Sequence, residues 1–240
     1  IEVLERKTGL QVARTMVPPH GACSEQTLRA LPACGFASAC ISTGSLKAHN
    51  PAGAWTRTLG YLPAEQVAGC PVLPRWAFGC DVDSTVLVNA YLGRPLIFRG
   101  HHQDLRNGLE VLDVIAARIN ALGLVRWGDL SELSRMSYQH GLDGDCYVVR
   151  MLGREIALPI PDSATELTVL DGTSGADRAT LAIEIELDGQ TIVRPAGGPI
   201  ALPQGRARSV NLRLLAAAAQ NNKGVHTPRT SASLIVRRLL

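Results

Sequence analysis

Near His140-Gly141 the sequence changes its hydrophobic period, and that change limits what the chain can fold into. Before it, short apolar runs alternate with stretches whose apolar residues recur at helical spacing; after it, apolar and polar residues alternate one by one. The first pattern predicts parallel strands joined by right-handed helical crossovers. The second predicts a small antiparallel β-sandwich. The expected organisation is an α/β domain over residues 1–140 followed by an all-β domain over residues 141–240.

In the first part, Val12–Val17 reads as a strand ended by Pro18-Pro19. Ser24 suits a helix N-cap, Leu28 and Leu31 give the helix its apolar face, and Gly35 stops it. Phe36–Ser42 reads as the next strand. From Thr43 to about Pro74 the chain is rich in Gly, Pro and Ala and is expected to be irregular, lining a functional face. Trp76–Gly79 and Pro95–Arg99 read as strands on either side of a helix over Ser84–Leu92. Asp104 is the expected cap of a helix carrying Leu105, Leu109, Leu112, Ile115, Ile119 and Leu122, with Gly123 as its stop. Leu124–Trp127 reads as a strand, and Asp129 or Ser131 as the cap of a last short helix.

In the second part, Leu181, Ile183, Ile185 and Leu187 alternate with polar residues, and Asp188-Gly189 predicts a tight hairpin into Gln190–Val193. Val210, Leu212 and Leu214 form a further half-buried strand, and Ser233–Arg238 a final one. There is no internal repeat.

Composition narrows the function classes. The chain of 240 residues carries a net charge of +3 with its basic residues dispersed, and only 4% of it is aromatic. That disfavours a nucleic-acid surface, which needs clustered basic residues. No apolar run approaches the roughly 20 residues of a membrane span. Cys23, Cys34, Cys40, Cys70, Cys80 and Cys146 form no metal-binding spacing. Free thiols are expected, with Cys34 and Cys40 as small buried hydrophobes, and the compartment stays open. A start at Ile1 rather than Met, with no signal sequence, predicts that further chain lies upstream.

Three places could carry chemistry. Pro18-Pro19-His20-Gly21 fixes a histidine at a strand's C-terminal mouth, beside the free N–H groups of the following helix, where an anion or oxyanion could be held. A plain strand-to-helix turn is the alternative. His101-His102 follows another strand, at the end where α/β barrels place catalytic residues. Histidine suits general acid or base work, yet adjacent residues point to opposite sides, so one of the two would face the cleft. Asp104 could orient a ring or cap the helix. Asp81 and Asp83 could reach a metal or cap the helix at Ser84. Arg94, Arg99 and Arg106 could hold a carboxylate or sugar substituent, or cover apolar surface with their stems.

These residues together resemble a family. Val17-Pro18-Pro19-His20-Gly21, Ser24-Glu25, Leu28-Arg29-Ala30-Leu31 and Cys34-Gly35-Phe36 are similar to the third motif of polysaccharide deacetylases, an Arg-Pro-Pro-Tyr-Gly strand end with its following helix. Pro95 to His102 resembles the family's last motif, an apolar strand ending in a catalytic histidine, and Leu122-Gly123 and Trp127-Gly128-Asp129-Leu130 resemble its closing elements. The resemblance covers about residues 1–138. It implies the C-terminal portion of a distorted (β/α) barrel, and metal-assisted removal of acetyl groups from sugars through a zinc-type divalent ion. By that implication His102, with His101 as its alternate, is the acid/base residue. Pro19, His20 and Gly21 with Asp81 and Asp104 contact the carbohydrate substrate. The family's Asp-Asp and His-x-x-x-His motifs are missing here, so no residue is assigned to metal and the isolated chain is expected to be inactive. Met16 and Val17 stand in place of the motif arginine, and His20 in place of its tyrosine. A non-catalytic relative that binds a glycan or a partner is the alternative. A half-barrel would also leave open strand edges, so self-association is expected.

Overall fold

The computed structural model describes residues 1–53, 60–172, 182–203 and 208–215. It is a mixed α/β structure with four small sheets and, among the described residues, no closed barrel. The chain divides into two compact units, Ile1–Leu133 and Ser134–Leu240. The division thus lies shortly before the change of hydrophobic period. No helix among the described residues is long and apolar enough to cross a membrane.

The first unit contains α1 (Glu2–Thr8), β1 (Thr15–Met16), α2 (Glu25–Ala30), β2 (Ser38–Cys40), α3 (Thr43–His49), β3 (Glu65–Val67), β4 (Cys70–Leu73), β5 (Trp76–Ala77), α4 (Val82–Tyr91), β6 (Phe98–Arg99) and α5 (Glu110–Asn120). Strands β1, β2 and β4 are parallel neighbours, with β3 antiparallel at the far edge. Past Pro74-Arg75 the chain continues from β4 into β5, which pairs in parallel with β6. Helix α2 connects β1 to β2, and α4 connects β5 to β6, so the βαβ pattern legible in the sequence is real. Ser24 does cap α2, accepting the Thr27 amide at 3.2 Å, and Gly35 ends the following turn in the left-handed region at φ 81°. Edge strand β1 is two residues long and offers a second chain little to pair with.

The region expected to be irregular is ordered over most of its length. Ser42 caps α3 by accepting the Ser45 amide at 3.3 Å, but the Thr43-Gly44-Ser45 start has poor helix propensity and Leu46 is the one buried residue of the helix. Strands β3 and β4 form a hairpin whose turn, Ala68-Gly69, has both residues at positive φ, 51° and 76°. Alanine is costly there, and no Asn-Gly or Asp-Gly announces the turn. Residues 54–59 lie outside the described residues.

Three further expectations are corrected. The helix expected from Leu105 begins at Glu110, because Gly108 takes φ 119°, which no helix accommodates; a short 3-10 turn, His102–Leu105, precedes it. Leu124–Trp127 is not a strand: Leu124 is fully exposed, and the Trp127 indole donates to Asn120 Oδ1 at 3.0 Å. Only Phe98–Arg99 of the expected Pro95–Arg99 strand is paired. α6 (Leu130–Arg135) then carries the chain across the division, capped by Asp129, which accepts the Glu132 amide at 2.8 Å.

The second unit holds β7 (Tyr138–Asp143), β8 (Cys146–Met151), β9 (Glu155–Ile160), β10 (Glu166–Asp171), β11 (Ala182–Leu187), β12 (Gln190–Pro195), β13 (Pro199–Ala201) and β14 (Arg208–Leu215). They form two four-stranded sheets, β13-β10-β8-β7 and β12-β11-β14-β9. Inward residues of both, among them Val149, Met151, Leu167, Ile156, Leu158, Ile183, Ile185, Val210 and Leu212, make one core. The second sheet is antiparallel throughout, but in the first β8 and β10 run parallel. The cause is topological: β9 crosses to the opposite sheet, so the chain returns to the first sheet in its original direction. Asp188-Gly189 makes the expected turn, with φ 50° and 79° matching the primed type that suits strand twist. Leu181 and the expected strand Ser233–Arg238 lie outside the described residues.

Leu167 is wholly buried at the centre of this core. Leu167→Ala is expected to destabilise the second unit by about 2–5 kcal/mol, the range for removing a buried leucine side chain. Urea unfolding followed by circular dichroism measures it, and a loss under about 1 kcal/mol would show that the two sheets do not share a close-packed interior.

Candidate functional site

The parallel strands of the first unit direct their C-terminal ends to loops that carry most of the candidate residues, the side of an open α/β sheet on which ligands bind. After β1, Pro18-Pro19 leads into a tight turn in which the Gly21 amide donates to Pro18 O and the Ala22 amide to Pro19 O, both at 3.0 Å. His20 is held in the left-handed region at φ 53°, an uncommon state for a residue with a side chain. Gly21 follows at φ 75° and is buried. A Cβ on Gly21 would stand 2.6 Å from the Ser45 side chain and 3.4 Å from a terminal nitrogen of Arg75. Only glycine lets this turn seat so closely on α3 and on the residue joining β4 to β5.

Asn50 fixes the other end of the loop. Its buried side chain accepts the Glu25 amide at 2.6 Å and donates to Cys23 O at 3.0 Å and Leu46 O at 2.8 Å. The α2 start and the α3 end are thereby tied together, and the His20 turn is anchored from both sides. A buried hydroxyl pair, Thr15 and Ser38 at 2.8 Å, joins β1 to β2 beneath it.

The second histidine arrives from β6. A Cβ on Gly100 would clash with the edge of the Phe78 ring, so the chain passes Phe78 closely there. Asp104 then accepts the His101 amide at 2.6 Å, and its own amide donates to His101 O at 2.9 Å. The result is a stacked pair: the His20 and His101 rings lie with centroids 6.0 Å apart and planes inclined by 27°. Both side chains are exposed, so the pair forms an accessible surface rather than a buried dyad.

Of the expected site residues, the structure therefore brings together Pro19, His20, Gly21 and His101, with Asp104 as the backbone support of His101 rather than an orienter of its ring. His101, not His102, meets His20; His102 opens the 3-10 turn on the exposed side. Asp81 is engaged elsewhere, capping α4 through the Ser84 amide at 3.2 Å and hydroxyl at 2.7 Å; those bonds hold its carboxyl below the usual range. Asp83 pairs with Arg118 at 3.0 Å. Of the two readings of Asp81, the helix-capping one describes it. Among the described residues no three His, Cys, Asp or Glu side chains are grouped to hold a metal, so the zinc-type ion that the resemblance implies finds no donor set here, and no catalytic step is derived through it.

All six cysteines are free. Cys40 is buried as expected, but Cys34 is exposed. Burial pushes the Cys40 thiol up to about 11, partly offset by the nearby Arg75 charge. Arg94 is engaged within the fold: it donates to Leu62 O at 3.3 Å and Asn89 Oδ1 at 2.5 Å, and lies over the Trp76 ring at 5.0 Å. An open hollow of about 460 Å³ lies beside it, lined in part by Thr43, Tyr61, Trp76 and Asn89 but by none of the histidines. Arg75 carried no motif signal in the sequence; its position at a strand junction appears only once β4 and β5 are placed.

Gly21→Ala tests this construction. The left-handed backbone costs about 1–2 kcal/mol with a side chain, and the clash with Ser45 adds about 1–3 kcal/mol. A destabilisation of about 2–5 kcal/mol is expected by chemical denaturation, with loss of the ring-to-ring contact between His20 and His101. Unchanged stability would mean that the turn is not seated on Ser45.

No protein-family profile matches this chain, and neither the curated proteins nor the solved structures contain one significantly similar to it.

Proposed function

We propose that this chain is a carbohydrate-binding portion of a polysaccharide deacetylase-like protein. In this reading the parallel strands β1, β2, β4, β5 and β6 are an arc of a distorted (β/α) barrel, and the surface formed by His20 and His101 receives an acylated sugar. The observation that carries the reading is the stacking of those two rings at 6.0 Å, delivered from the ends of the first and last parallel strands of the unit. Two exposed planar rings with polar edges suit a sugar, offering apolar faces to its C–H groups and nitrogens to its hydroxyl or acyl oxygens.

The donor set supports binding rather than hydrolysis by this chain. Metal-assisted deacetylation requires grouped ligands to activate water, and the described residues supply none. The β-sandwich of the second unit serves, on the same reading, as a separate glycan- or partner-binding module, as such sandwiches do on many unrelated proteins.

An N-acetylated glucosamine oligomer titrated into the purified chain, with and without added zinc, tests this. Saturable binding without acetate release is expected. His20→Ala and His101→Ala should each weaken it about tenfold, equivalent to about 1.4 kcal/mol, with the circular dichroism spectrum unchanged. Absence of binding, or binding indifferent to both substitutions, would contradict the proposal. Zinc-dependent acetate release would overturn its non-hydrolytic part.

A further inference from the structure

Two arginines, Arg75 against the His20 turn and Arg99 on the strand paired with β5, carry charges that no ion pair among the described residues neutralises. Arg75 joins β4 to β5 and is only 9% exposed. Arg99 ends β6, in register with Ala77 of β5. The Nε atoms of both are sealed from solvent and have no hydrogen-bond partner. Every ion pair found among the described residues involves other arginines. Arg94, close by in sequence, shows another solution: its Nε donates to a carbonyl, a terminal nitrogen donates to an amide oxygen, and its guanidinium lies over an aromatic ring.

Burying a guanidinium without a counter-charge is expensive, and placing a second one near it adds repulsion. Both effects act on Arg75: burial pulls its pKa down, Arg99 pulls it further, and Cys40 only partly offsets them. Cys40 cannot serve as the counter-ion, because its own burial keeps the thiol protonated well above neutral pH. Asp104 is already bonded to the His101 amide. A charge arrangement this unfavourable in isolation becomes favourable once an anion arrives.

The geometry shows where. A terminal nitrogen of Arg75 lies 3.4 Å from the point where a Gly21 Cβ would stand, so the guanidinium edge faces the bare backbone of the His20–Gly21 turn. We propose that Arg75 and Arg99 form an oxyanion-binding site beside this turn, which takes the phosphate or carboxylate group of a ligand. The planar fork of arginine matches both groups with paired hydrogen bonds. The site stands whether or not the ligand is a sugar, and its test uses simple anions.

Thermal unfolding of the chain is measured in sodium phosphate, in sodium acetate and in sodium chloride at equal ionic strength, with calorimetric titration of the same salts. A saturable rise in Tm with phosphate or acetate beyond that in chloride is expected, since a ligand held only by the folded state raises its stability. The stronger of the two identifies a phosphoryl or a carboxylate ligand. Arg75→Met removes the charge and keeps the apolar stem; it should abolish the anion-specific rise and leave Tm in chloride equal to or above that of the parent. Arg75→Lys keeps the charge without the fork and should weaken binding at least tenfold. Arg99→Met, at a less buried position, gives the same readout should Arg75→Met fail to fold. Equal Tm in all three salts would overturn the proposal, as would an anion-specific rise that survives Arg75→Met or Arg99→Met.

Discussion

The close approach of Gly21 to Ser45 and Arg75 is the contact on which the candidate site depends. It brings three consecutive parallel strands into register at their C-terminal ends, because the residues involved follow β1, β2 and β4. With a side chain at residue 21 the turn would lift off α3, and His20 would leave the neighbourhood of His101. The backbone pays for this seat with a non-glycine residue, His20, in the left-handed region. Such a state persists only where surrounding contacts over-determine it, and here Pro18-Pro19, Asn50 and the Ser45 packing supply them.

The site is assembled from weak local devices on very short strands. β1, β5 and β6 are each two residues long, so the loops are positioned less by sheet hydrogen bonding than by buried polar ties and close backbone contacts. Asn50, the Thr15–Ser38 hydroxyl pair, the Phe78–Gly100 contact and Asp104 each fix one segment. The two arginines break the pattern. Among the described residues of the unit, these two are the arginines whose buried nitrogens have no partner. Unfavourable charge retained on buried groups is one mark of a ligand site.

Much of this was legible in the sequence, for reasons that can be named. Ser24, Gly35, Asp129 and Asp188-Gly189 were readable because capping and turn chemistry are local. The half-buried strands at Ile183–Ile185 and Val210–Leu214 were readable because one face of each meets a core. The hairpin at Ala68-Gly69 was not, since alanine rarely takes that conformation, nor was α3, whose helix rests on a single buried leucine. The parallel pairing of β8 and β10 could not be read from either strand alone; it follows from β9 changing sheets. That Pro19, His20, Gly21 and His101 lie together could be read from their place after strands. His101 rather than His102 meets His20, since the close Gly100 backbone and the Asp104 bond to the His101 amide, not strand alternation, set which ring turns toward it. Arg75 was invisible because its significance lies in what it lacks.

The most direct measurement of the central claim is a nuclear Overhauser experiment on the folded chain with isotopically labelled histidine, using a His102→Gln variant to remove overlap. The account predicts cross-peaks between the ring protons of His20 and His101. A well-dispersed spectrum of the folded chain without such cross-peaks would show that the two loops do not converge, and would remove the basis for a shared ligand site.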